Sequence, residues 1–308
     1  MSIVVPGLHH VTAISGAPQA NLDFYSGVLN QRLVKKTVNF DDPATYHLYY
    51  GDTAGTPGTI MTFFPFADAG PGRAGPGMAS AVAYTVPDLD ARMEALALDA
   101  AAFDGPWERF GQRGIALKDS DGLRIELIED ASAEAGFHSV TLWLDDPEPT
   151  ARVLEIMGYA RAGEEDAATM GSNGRERRVR LVSSAPERGA VVDLVTSDAS
   201  SIGRPGAGTV HHVAFRARDA SEQEAWRETL TEAGLAVTPV IDRQYFDAIY
   251  FRTPGGVLFE IATDPPGFAV DEDPDHLGEA LKLPPRYEAM RARIEQILQP
   301  LRARVGAA

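Results

Sequence analysis

The sequence predicts an α+β chain built from four βαβββ modules, and three observations carry that prediction. A short strand rich in β-branched residues runs into an amphipathic helix four times along the chain. Each helix opens on Pro, Ser or Asp, residues suited to a first turn or an N-cap, and two of them meet a stop at Gly158 and Gly234. Strand-like runs, punctuated by turn residues, then follow every helix.

In the first module the strand is Leu8 to Ile14 (LHHVTAI), the helix Ala17 to Val28, and the later strands Tyr46 to Tyr50 and Thr59 to Phe64. The second reads Ser80 to Val86, helix Asp88 to Leu98, then Gly114 to Lys118 and Leu123 to Ile128. The third reads Phe137 to Leu144, helix Pro147 to Met157, then Arg177 to Ser183 and Ala190 to Thr196. The fourth reads Val210 to Arg216 (VHHVAFR), helix Ser221 to Ala233, then Ala248 to Arg252 and Val257 to Ala262. Ser120-Asp121-Gly122 and Thr253-Pro254-Gly255-Gly256 close hairpins. Aligning the strand starts puts His10, Ala81, Ser139 and His212 in register, at spacings of 71, 58 and 73 residues.

Gly70 to Gly77 is a flexible joint, and Asp130 to Gly136 and Ser197 to Gly208 are further boundaries. The chain accordingly divides into an N-terminal pair of modules, 1–135, and a C-terminal pair, 136–308. After an irregular Pro- and acid-rich stretch from Pro265 to Pro285, Arg286 to Leu298 reads as a surface helix packed on the last domain, and as a candidate dimer contact.

Composition narrows the function classes. With 44% hydrophobic and 23% charged residues, the chain of 308 residues is globular. Its apolar runs fall short of the roughly 20 residues of a membrane helix, and its start lacks a signal-peptide pattern, so a cytoplasmic protein is expected. Lys+Arg 28 against Asp+Glu 44 gives −16, which disfavours nucleic acid. Cysteine is absent, so a metal must be held by His and carboxylate.

Of seven histidines, four form two doublets, His9-His10 and His211-His212, at the same point of the first and fourth modules. Strand alternation sends one member of each doublet into a shared cavity. Glu260, inside the apolar run VLFEIA and 48 residues beyond His212, is an acidic group that burial would penalise unless a cation meets it. Arg252 or Arg243 could supply that charge; otherwise His10, His212 and Glu260 form a 2-His-1-carboxylate set suited to Fe(II), with Mn(II) behind it. Glu126, with Arg124 beside it, reads as a structural ion pair, and His47, His138 and His276 as ordinary hydrogen-bonded histidines. The middle modules carry Ala81 and Ser139 at the ligand register and are expected to be metal-free. The first and fourth modules must then share a cavity.

The four modules, LHHVT near the start, VHHVAF in the fourth module and the Glu on its final strand resemble the vicinal oxygen chelate (glyoxalase/extradiol dioxygenase) superfamily. With DRQYFDAIYFRTPGG, the chain from about residue 7 to 268 is similar to the hydroquinone ring-cleaving dioxygenases within it. The resemblance implies the vicinal oxygen chelate fold, two cupped mixed β-sheet barrels with outer helices. It also implies a metal on His10, His212 and Glu260, and an active site completed by His9, Thr12, His211, Arg243 and Tyr250. Of these, Thr12, Arg243 and Tyr250 are the substrate contacts, while His9 and His211 reach the cavity only if a twist or bulge re-aims them. The implied activity is Fe(II)-dependent cleavage of a hydroquinone, or catechol-like, ring with O2. A glyoxalase-type isomerase and a non-catalytic trap for small aromatics are the alternatives. The isomerase suffers from Thr62 standing where a second carboxylate would be, and the trap would need no such triad.

Overall fold

The computed structural model describes residues 3–168, 175–198 and 202–302; three residues of the Ser197 to Gly208 boundary, 199–201, lie outside that set. The first module comprises β1 (Leu8–Ser15), α1 (Pro18–Leu22) continuing as a π-helical segment Asp23–Val28, β2 (Arg32–Val38), β3 (Tyr46–Gly51) and β4 (Ile60–Pro65). The second has β5 (Met78–Val86), α2 (Leu89–Leu98), β6 (Asp104–Arg109), β7 (Gln112–Lys118) and β8 (Arg124–Glu129). The third has β9 (Phe137–Trp143), α3 (Glu148–Ile156), β10 (Tyr159–Ala168), β11 (Arg175–Ser183) and β12 (Val191–Ser197). The fourth has β13 (Thr209–Ala217), α4 (Ala220–Glu232), β14 (Ile241–Asp242), β15 (Phe246–Arg252) and β16 (Leu258–Pro266).

Local chemistry explains the helix ends. Asp88 and Asp219 accept hydrogen bonds from the backbone N–H of Ala91 and Glu222, capping α2 and α4. Gly158 and Gly234 follow α3 and α4 with φ of 93° and 87°, a left-handed conformation that any Cβ would disfavour.

Among the described residues the strands form two eight-stranded mixed sheets, and the four-module expectation holds. One sheet runs β14-β15-β16-β13-β1-β4-β3-β2 and the other β10-β11-β12-β9-β5-β8-β7-β6. The first and fourth modules are therefore hydrogen-bonded to each other, as are the second and third. Sequence halves 1–135 and 136–308 each contribute one module to each sheet. In each module the first and last strands pair in parallel, an arrangement that needs the intervening crossover helix. The helices cover the outer faces: Tyr25 packs on Phe63 of β4 with ring centroids 4.5 Å apart, and Trp226 and Leu230 of α4 are buried. No helix of the described residues is long and apolar enough to cross a membrane.

The strand after each helix, whose bounds the sequence left open, is in all four modules an edge strand. Paired on one side only, these strands need no clean apolar alternation, as DGPWER of β6 illustrates.

The tail departs from expectation in two ways. Pro284 and Pro285 tighten its start into a 3₁₀ segment, Pro285–Met290, so the α-helix α5 covers only Arg291–Ile297. It also packs on the first module rather than on the last domain. The buried Lys35 ammonium of β2 requires counter-charges and receives them from Asp271 (2.7 Å) and Glu272 (2.6 Å). Farther along, Tyr287 donates to the Phe40 carbonyl and Tyr46 to that of Gln299.

Candidate metal centre

Strands β1 and β13 lie antiparallel at the middle of one sheet, with His10 opposite Ala214 and Thr12 opposite His212. Glu260 of β16 neighbours Ala214 from the other side. Strand alternation then directs His10, His212 and Glu260 into one cavity of about 420 Å3. Nε2 of His10 lies 3.4 Å from Nε2 of His212, and the Glu260 carboxylate lies 3.5 Å from the first and 2.9 Å from the second. All three side chains are buried, and one ligand atom from each falls within 4.8 Å of the others.

Charge and hydrogen bonding define what this cluster accepts. Both oxygens of Glu260 are buried without an aligned hydrogen-bond partner among the described residues. Neither arginine offered by the sequence neutralises it: Arg252 donates to the Gly256 carbonyl, and Arg243 to Tyr250 and Asp41. Burial pushes the His212 imidazole below its ordinary pKa, towards the neutral form that donates a lone pair. Two imidazole nitrogens and an orphaned carboxylate facing one point suit a divalent cation.

The other half of each doublet is held in place by a bulge. The β1–β13 register slips between Leu8 and His10, and again between Thr12 and Ala13, so that His9 and His211 are the extra residues. His9 turns its Nδ1 to within 2.9 Å of Nδ1 of His10, and His211 its Nδ1 to within 2.8 Å of Nδ1 of His212. A ligand histidine donating Nδ1–H to its neighbour keeps the Nε2 lone pair aimed at the cavity. His9 is buried against Phe246, whereas His211 is exposed at the mouth beside Phe64.

Tyr250 pairs with Glu260 across β15 and β16, and its ring stands 5.8 Å from that of His212. Arg243 donates through Nε to the Tyr250 hydroxyl at 3.1 Å, and burial pushes that phenol well above its usual pKa. Thr12 lines the cavity with its hydroxyl 2.9 Å from that of Thr62. The walls are aromatic: Phe40, Phe64, Phe66 and Phe246. Of the aromatics left open by the sequence, Phe246 lines this cavity, Phe259 packs in the core against Phe215, and Trp143 faces the other sheet's hollow.

Two residues of β3 also line the cavity wall: Tyr49, which nothing in the sequence singles out, and His47, expected from the sequence to be an ordinary hydrogen-bonded histidine. His47 is buried and hydrogen-bonded, to both Tyr49 and Thr62 at 2.8 Å, and it stands at the cavity.

The second sheet repeats the frame with different chemistry. Its register places Ala81 and Ser139 where His10 and His212 stand, Asp193 where Glu260 stands, and Glu126 where Thr62 stands. The same bulges recur, and His138, the counterpart of His211, is 2.9 Å from the Ser139 hydroxyl. Asp193 is held by Arg180 (2.8 Å) and Arg178 (3.1 Å), and Glu126 by Arg109 (2.7 Å) and Arg124 (2.8 Å). Guanidinium groups thus supply a permanent positive charge to these two acids, whereas Glu260 faces only the imidazoles of His10 and His212 at contact distance among the described residues.

The glyoxalase/bleomycin resistance protein/dioxygenase superfamily description matches residues 7–127 and 136–261. The Bacillus subtilis protein named "Putative ring-cleaving dioxygenase MhqO" is 46% identical over 97% of both chains. The chlorohydroquinone/hydroquinone 1,2-dioxygenase of Sphingobium indicum is 34% identical over 93% of this chain and 94% of its own length. A crystal structure titled as a putative dioxygenase from Bacillus subtilis superposes with a TM-score of 0.90 at 43% identity, covering 98% of this chain and 99% of that one. Maize glyoxalase I shares the fold, with a TM-score of 0.64 at 16% identity over 84% of this chain and 92% of its own.

Proposed function

Because the chain belongs to the glyoxalase/bleomycin resistance protein/dioxygenase superfamily, we propose that it is an Fe(II)-dependent ring-cleaving dioxygenase that opens a hydroquinone ring with O2. The observation that carries this reading is the orphaned Glu260 carboxylate facing two imidazoles in an aromatic-walled cavity. The Sphingobium relative, named for hydroquinone cleavage, supports the substrate class.

His10, His212 and Glu260 hold the metal, and the neighbouring His9 and His211 fix the orientation of the two imidazoles. Bound there, Fe(II) supplies Lewis acidity and the one-electron chemistry that lets O2 react with an aromatic diol; Mn(II) is the second choice for this ligand set. Two imidazoles bring no charge, so the site with a divalent ion is net +1 and favours a substrate oxygen that has lost its proton. Tyr250 stands beside that position and can hold or return the proton at its hydroxyl, while Arg243 orients the phenol. Thr12 contributes a hydroxyl to the same wall. The aromatic walls bind the ring faces and exclude bulk water.

The isomerase alternative is disfavoured by Thr62, which occupies the register a second carboxylate would need. A passive trap is disfavoured by the burial of an unpaired acid that a hydrophobic pocket does not require.

Protein loaded with Fe(II) under argon and then mixed with aerated hydroquinone is expected to consume one O2 per ring. Ni(II)- or Zn(II)-supported turnover without oxygen would favour the isomerase, and binding without turnover the trap. In the same assay Tyr250→Phe is expected to lower kcat about 10²-fold, the usual scale of a lost proton-transfer group.

A further inference from the structure

The register of the metal-bearing sheet relates its two walls by a pseudo-twofold axis, and under that axis Tyr49 is the counterpart of Tyr250. Tyr250 lies opposite Glu260, and Tyr49 lies opposite Thr62. Thr62 and Glu260 in turn occupy equivalent places, beside Thr12 and Ala214. Since only the β16 side carries a carboxylate, the three ligating groups are displaced towards the Tyr250 wall. Tyr49 lines the same cavity from the β3 wall opposite.

Tyr49 is 1% exposed, its ring wedged between Phe268 (5.1 Å) and Tyr245 (6.1 Å). Its hydroxyl meets Nδ1 of His47 at 2.8 Å, Nε2 of His47 meets the Thr62 hydroxyl at 2.8 Å, and that hydroxyl meets Thr12 at 2.9 Å. His47 is fixed further by Phe64, ring centroids 4.3 Å apart. The chain of bonds consumes one bonding capacity of the Tyr49 hydroxyl and leaves it able to make another, as donor or acceptor according to the His47 tautomer. A hydroxyl group on the ligand satisfies either case.

We propose that Tyr49, positioned by His47, binds the ring hydroxyl remote from the metal and makes the cavity selective for para-diols. This rests on the ring-cleaving reading above and adds to it a residue pair for substrate choice. A ring tethered through one oxygen at the Tyr250 wall points only its opposite carbon at the β3 wall. The two hydroxyls of a catechol sit on adjacent carbons, so a catechol held through one of them would present the other on the same side and not across the cavity.

The test is an anaerobic calorimetric titration of Mn(II)- or Fe(II)-loaded protein with hydroquinone and with 4-methylphenol, which has the same outline and lacks the second hydroxyl. Tyr49→Phe is expected to weaken hydroquinone about tenfold, the scale of one lost hydrogen bond that leaves a buried partner unmet. It should leave 4-methylphenol unchanged. His47→Leu should weaken hydroquinone in the same selective way, and His47→Asn, which keeps a side-chain partner for Tyr49, should restore much of it. Equal weakening of both ligands, or of neither, overturns the proposal, as does wild-type protein that binds the two ligands alike. Oxygen uptake in parallel separates the two claims. Uptake by wild type without Tyr49-dependent selectivity refutes the residue pair alone, whereas selectivity without uptake refutes the dioxygenase reading alone.

Discussion

Replacing Glu260 by Gln is expected to abolish metal retention and oxygen consumption. The carboxylate is the single anionic ligand of the cluster, and Gln keeps its shape while removing its charge. Changes to groups that merely support metal ligands cost about 10–100-fold in affinity, so loss of the ligand itself should exceed the upper figure. Metal content after Fe(II) loading, with oxygen uptake measured in parallel, checks both.

The matching change in the other sheet should act on stability and leave metal binding alone. Glu126→Gln is expected to lose about 3 kcal/mol of stability at neutral pH and to bind metal as well as the parent. Burial alone would push the Glu126 carboxyl up, but the Arg109 and Arg124 guanidiniums hold it down at about 2, against 4.5 for a free glutamate. A carboxyl with a depressed folded-state pKa contributes stability that is complete above pH 4.5 and disappears as pH falls towards 2. The gap between Glu126→Gln and the parent should close across that window. A pH series of unfolding midpoints from neutrality down to the acid limit reads it directly.

How much of this was legible in the sequence follows from where each residue sits in a sheet. Central strands such as LHHVTAI are buried on both faces and read clearly, because the core demands apolar, β-branched residues there. The edge strands β2, β6, β10 and β14 satisfy fewer constraints and left no comparable pattern. The histidine doublets were visible because a bulge puts the cavity-facing histidine and the one that hydrogen-bonds it next to each other in the chain, a device by which neighbours on a strand can serve the same site. Tyr49, and the place of His47 at the cavity, were not legible because unequal loops hide the repeat: Tyr49 precedes Thr62 by 13 residues, whereas Tyr250 precedes Glu260 by 10. Asp193 was overlooked for a different reason, since its partners Arg178 and Arg180 lie on another strand and only folding reveals the pairing. The tail crosses to the first module because of Lys35, a buried cation whose burial its own strand does not announce.

The proposed activity requires a single divalent ion held jointly by β1, β13 and β16. Anomalous diffraction at the iron edge, from crystals of anaerobically loaded protein, addresses it most directly. One peak per chain, bounded by Nε2 of His10, Nε2 of His212 and the Glu260 carboxylate, is the predicted map. A flat map at that point, or a peak seated among the arginines of the second sheet, would contradict it.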